Sequence, residues 1–115
     1  MGQRENRCKC GDAFGNLLTE IDFIKDRAKD EKFPPITDFT SLISGIYANM
    51  RKTEEFCELD LRRPMSLYGE VSEGVTTMKI AKSEDEFLSG KNRTLVNLNI
   101  IRGNVRNKVE ECSKG

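Results

Sequence analysis

The chain has 115 residues, 37% apolar and 33% charged, with no Trp and no His. That length fits one domain, residues 1–115, and the lack of His excludes His-containing triads, His-ligated haem or zinc, and the usual proton shuttle near neutral pH. The formal net charge is zero, which leaves no global field to recruit nucleic acid or an anionic membrane, and no apolar run approaches the roughly 20 residues of a membrane span.

Met1–Cys10 is polar and lacks the apolar stretch of a secretory leader. Two readings fit: a cytosolic protein, or a mature secreted chain bearing a start Met. Residues 1–9 are expected to be a flexible tail, and Gly2–Asn6 lacks the Ser or Thr of a myristoylation signal. Phe14, Leu17, Leu18, Ile21, Ile24 and Ala28 follow i, i+3, i+4, i+7 spacing and predict an amphipathic helix over about 12–32. Pro34-Pro35 ends it. Thr37 or Asp38 can cap the next helix, and Phe39, Leu42, Ile43, Ile46, Met50, Thr53 and Cys57 mark it over about 38–60. Gly45 allows a division instead, with Ile36–Phe39 extended and a helix starting near Thr53.

Beyond Pro64, Leu67, Tyr68, Val71, Val75 and Met78 read as a third helix weakened by Gly69 and Gly74, or as extended pieces, Val75–Ile80 above all. Ser83 before Glu84, Asp85 and Glu86 is a helix-start signal. Ser89-Gly90-Lys91-Asn92 breaks the pattern, and the last helix runs over about 92–113 with Leu95, Leu98, Ile101, Val105, Val109 and Cys112 on one face. Residues 54–86 hold nine acids and four bases, whereas 91–115 hold six bases and two acids. Arg102 and Arg106 lie one turn apart on the exposed side of the last helix, as a solvated face or a partner-binding one. Asn92-Arg93-Thr94 is an N-glycosylation acceptor.

Four cysteines remain: Cys8, Cys10, Cys57 and Cys112. An up-down bundle brings the start of the first helix and the ends of the second and last together, and a crossover bundle with its second helix starting near Thr53 does the same. The sulfurs therefore converge at one bundle end in either topology. Zinc bound by four thiolates, buried free thiols and two disulfides are the competing uses. The even count and the end convergence favour disulfides. Cys8–Cys10 would close a strained ring, which leaves Cys8–Cys112 with Cys10–Cys57, the preferred pairing, or its exchange.

The chain resembles the short-chain four-helix cytokines of the interleukin-4/interleukin-13 branch. Lys52-Thr53-Glu54-Glu55-Phe56-Cys57 is similar to the start of the family's second helix and Ile36-Thr37-Asp38-Phe39 to the short strand before it. Leu18-Thr19-Glu20-Ile21 is similar to the middle of the first helix, and Thr94–Asn97 through Glu111-Cys112-Ser113 to the fourth. Residues 61–80 are shorter and less patterned than the family's third helix, and no cysteine follows them to pair with Cys57 in the family's manner; the Cys8/Cys10 doublet could supply that partner. The resemblance implies an all-α four-helix bundle of the up-up-down-down type with short strands in its crossover loops; a simple up-down bundle is the alternative. It implies a secreted, monomeric, divergent ligand without catalytic activity or cofactor that pairs cell-surface cytokine receptor chains. Glu20 matches the family's receptor-contact glutamate. Arg102 and Arg106 are offered as a second contact on charge placement alone, and no metal site, nucleic-acid partner or membrane insertion is expected. The rival reading is a cytosolic helical adaptor that binds a protein through a helix face, with free thiols. Glu54-Glu55 and Glu84-Asp85-Glu86 look like helix-start acids rather than a catalytic constellation.

Overall fold

The computed structural model describes residues 11–57 and 60–114, all-α, with no strand among them. Helix α1 (Gly11–Asp30) buries Phe14, Leu17, Ile21, Ile24 and Ala28, the expected stripe in alternating steps of three and four. Such steps suit helices packed nearly along one another. Its last carbonyls lack helical partners, and the Lys91 ammonium supplies two bonds, to the Lys29 carbonyl at 2.7 Å and the Glu31 carbonyl at 2.9 Å. The Phe33–Pro34 peptide in the connection is cis.

Helix α2 (Phe39–Cys57) buries Phe39, Ile43, Ile46, Met50 and Thr53. Asp38 is its cap: one carboxylate oxygen accepts the Ser41 N–H at 3.3 Å and the other its hydroxyl at 2.8 Å. The helix is undivided at Gly45, so the extended Ile36–Phe39 expected beside a late helix start is not formed. A short helix α3 (Arg62–Ser66) leads through Leu67 into α4 (Tyr68–Ile80). Glu54 anchors this turn by accepting the Leu61 N–H at 2.8 Å. Val71, Gly74, Val75 and Met78 form the buried face of α4, which corrects the extended reading of Val75–Ile80.

Helix α5 (Glu84–Lys114) is continuous for 31 residues, about 46 Å. Ser83 Oγ accepts the Glu86 N–H at 3.2 Å while Glu86 accepts the Lys82 N–H at 3.1 Å, a reciprocal cap like the capping box. The break expected at residues 89–92 does not occur. Gly90 is instead a packing residue: a Cβ on it would lie 2.8 Å from the Gly74 carbonyl, and one on Gly74 would lie 2.8 Å from the Thr94 nitrogen and 2.9 Å from the Gly90 carbonyl. Thr94 is fully buried there, its hydroxyl donating to the Gly90 carbonyl at 2.8 Å.

Contact pairs give the direction of each helix. Glu20 meets Gly45 and Asn49, whereas Asn16 and Leu17 share a hollow with Asn49, Lys52 and Thr53, so α1 and α2 are antiparallel. Asp22 meets Arg102 and Lys29 meets Lys91; Tyr47 stacks near Tyr68 at 4.9 Å while Phe39 and Val75 line one cleft. Hence α1–α5 and α2–α4 are antiparallel too, as are α4 and α5, where Gly74 meets Thr94 and Met78 meets Gly90. Each of these neighbours runs opposite to the next, which is the order of the simple up-down bundle. The up-up-down-down order requires α1 and α2 parallel and is corrected here. The physical reason lies in residues 31–38: Glu31 bonds to Ile36 and Thr37 and holds the connection as a turn, not as a crossover along a helix.

Ala normally exceeds Gly in helices by about 1 kcal/mol, and Gly15 and Gly103 have open space around them. Gly15→Ala and Gly103→Ala should each stabilise the fold by up to about 1 kcal/mol. Gly74→Ala or Gly90→Ala should reverse the sign and cost about 1–3 kcal/mol or more by wedging α4 from α5. Urea titrations of the four variants followed by circular dichroism measure the difference.

Candidate functional site

The register above brings the start of α1, the end of α2 and the end of α5 to one end of the bundle. Cys57, the last residue of α2, is half-buried there and disulfide-bonded. That takes it out of the free-thiol and zinc readings. The expected partners Cys8 and Cys10, and the Cys112 side chain, lie outside the described residues, as does the tail at residues 1–9. Phe56 beside the bridge is 74% exposed.

The four remaining residues singled out from sequence occupy different surfaces. Glu20 is half-buried between α1 and α2, where its carboxylate accepts the Asn49 side-chain amide and rests against Gly45. Arg102 is 30% exposed and bridges α5 to α1, with Nε 2.6 Å and a terminal nitrogen 3.2 Å from the two Asp22 carboxylate oxygens. Arg106 is exposed and reaches Glu110 one turn on at 3.5 Å. Glu20 and Arg102 therefore flank α1 on opposite sides, facing α2 and α5, with Arg106 one turn beyond Arg102 on α5. Asn92 is exposed on α5. The Thr94 of its acceptor sequence has a packing duty in the α4–α5 contact, so that residue type is required there whether or not Asn92 carries a glycan.

Sequence reasoning missed a third feature, the turn after α1. Glu31 is only 7% exposed, and its carboxylate accepts the Ile36 and Thr37 N–H groups at 2.7 Å each and the Thr37 hydroxyl at 2.8 Å. Burial by itself pushes this carboxyl up. The bonds from Thr37 and Ile36, helped by the Arg27 charge, outweigh burial and hold it below its ordinary value. A cleft of about 240 Å3 lies beside the turn, lined by residues 35–40 with Val75, Met78 and Lys79. Ile36 at its edge is 92% exposed. The available signal was an acid directly before a Pro-containing turn, with Thr six residues on, but nothing in that spacing specifies a buried carboxylate.

Among the described residues no group of three His, Cys, Asp or Glu side chains is placed to hold a metal ion, and no helix is long and apolar enough to cross a membrane. No family model, curated protein or solved structure matches the chain.

Because the folded Glu31 carboxyl titrates below its unfolded value, its stabilisation is complete above about pH 5 and is lost as pH falls through the lowered folded value. Glu31→Gln should cost about 1–3 kcal/mol at neutral pH, since an amide cannot accept all three bonds. Urea titrations at descending pH should show the gap between wild type and Glu31→Gln closing below about pH 4.

Proposed function

We propose that this chain is an extracellular helical ligand that acts by binding and pairing receptor chains of the interleukin-4/interleukin-13 type. The observation that carries the extracellular half of the reading is the Cys57 disulfide, because such bonds persist in oxidising compartments and are rare in the cytosol. The proposed framework is Cys8–Cys112 with Cys10–Cys57, which would close the chain nearly end to end. In the chain-entropy model a loop of about 100 residues contributes on the order of 4–5 kcal/mol, a large share for a small core.

The residue likenesses carry the choice of receptor class, and the layout of polar side chains supports two separate contacts. Glu20 is proposed for one receptor chain through the α1–α2 face, and Arg102 with Arg106 for the other through the α1–α5 face. Asn92 is the proposed glycan carrier. The up-down helix order favours the rival, a helical adaptor outside the cytokine family, and the disulfide disfavours that rival's cytosolic setting.

Alkylation followed by mass measurement tests the compartment. The unfolded, unreduced chain should take up no label, and the reduced chain four; four labels without reductant would remove the extracellular reading. Titration against purified ectodomains of the interleukin-4 receptor type tests the partner. Glu20→Gln keeps the carbonyl that faces Asn49 and should lower affinity about tenfold or more at unchanged melting temperature. Glu20→Lys is a poorer probe, because lysine would press on Gly45 and disturb the helix pair. Arg106→Glu should weaken the second contact less severely. Wild-type protein that binds no such ectodomain would remove the cytokine reading, and undiminished binding by Glu20→Gln would remove only that residue's role.

A further inference from the structure

The bundle end opposite Cys57 exposes apolar side chains on a turn that hydrogen bonds hold in place. Eight large apolar side chains are exposed among the described residues, and four belong to this end: Phe33 and Ile36 in the first connection, Ile80 closing α4, and Leu88 near the start of α5. Phe33 is steadied by the Phe87 ring at 6.0 Å. Ile36 projects almost wholly into solvent, yet its backbone N–H and that of Thr37 are pinned by the buried Glu31 carboxylate. Lys91 ties the same turn to α5. A loose connection could turn Ile36 inward over Val75 and Met78; these bonds hold it beside that cleft instead.

Asp38 and Lys79 both line the cleft, and the lysine's charge bears on the Asp38 carboxyl. None of the direct ion pairs among the described residues joins them. One surface therefore carries a projecting apolar side chain, a hollow of suitable character, an acid and a base.

We infer that this end docks a second copy of the chain about a two-fold axis, each Ile36 entering its partner's cleft and each Lys79 meeting the partner's Asp38. An isologous contact requires every feature and its complement on the same patch, and that is what this surface offers. A different protein would need only half of the set. Zero formal net charge removes long-range repulsion between copies, and the pinned turn reduces the ordering cost of docking. The end of a rod 20 × 18 Å across offers less than the roughly 800 Å2 per partner of a standard stable interface, so the dimer is weak, forms end to end, and leaves both flanks of α1 uncovered. It does not depend on the receptor reading.

Sedimentation equilibrium of the oxidised full chain from about 10 μM to about 1 mM, with small-angle scattering at the upper end, tests this. Wild type should pass from monomer towards a dimer of nearly doubled length. Ile36→Asp, at a side chain the fold does not bury, should raise the dissociation constant about a hundredfold, and Lys79→Asp about tenfold, while Lys79→Arg retains association. Circular dichroism melts establish that each variant is folded, and Ile36→Ser serves as a milder second probe of the same side chain. A wild type that is monomeric throughout, a side-by-side dimer of unchanged length, or undiminished association in the Ile36 variants would each overturn the proposal.

Discussion

Between α4 and α5 the two backbones come into direct contact at Gly74 and Gly90, and the rest of the bundle is arranged around that contact. With no Cβ on either residue, the Gly90 carbonyl comes within 2.9 Å of where a Gly74 methyl would stand, and Thr94 fills the adjoining space. The threonine hydroxyl bonds back to its own helix, so the close approach leaves no buried donor wanting. This pair makes a narrow platform. Helix α1 packs on the α5 side of it and α2 on the α4 side, and the turn at residues 31–38 joins those two antiparallel.

The charged side chains that looked available for recognition are largely engaged in holding this assembly. Arg93 reaches across to Glu70 and Glu73, and Arg102 across to Asp22, so two bases of the cationic C-terminal segment serve as ties between helices. Exposed pairs of this sort are individually worth little, about 0–1 kcal/mol. Their effect is on the surface: they neutralise the seams on either side of α5 and leave Arg106 as the more exposed cation of the proposed pair.

Much of the fold was legible because long apolar stripes can be read from period alone. The buried residues of α1 are those the spacing marks, as are Phe39 to Thr53 on α2. Glycine was where the reading failed. By propensity Gly45, Gly74 and Gly90 read as weaknesses in a helix, whereas all three lie inside helices, and at Gly74 and Gly90 a neighbouring backbone leaves no room for a Cβ. Propensity is a property of one segment, and a close helix crossing is a property of two. The direction of α2 was lost for a similar reason, since it depends on a buried carboxylate folding its own connection. Of the candidate site, the end convergence of the cysteine-bearing helix termini could be argued before the structure because it survives either topology. Glu20 could be placed on α1, but its engagement with Asn49 depends on the rotation of a second helix, which local sequence does not encode.

The antiparallel order has an electrostatic consequence. Each helix behaves as a dipole with about half a positive charge at its N-terminus and half a negative charge at its C-terminus. Opposed neighbours cancel these pairwise, so neither end of the rod has a net pole. A chain of zero formal charge then has little far field with which to orient an approaching molecule. Encounters with any partner are left to unsteered diffusion, in the range of about 10⁵–10⁶ M⁻¹s⁻¹. Tight binding by such a protein must come from slow departure, governed by how well side chains fit once the surfaces have met.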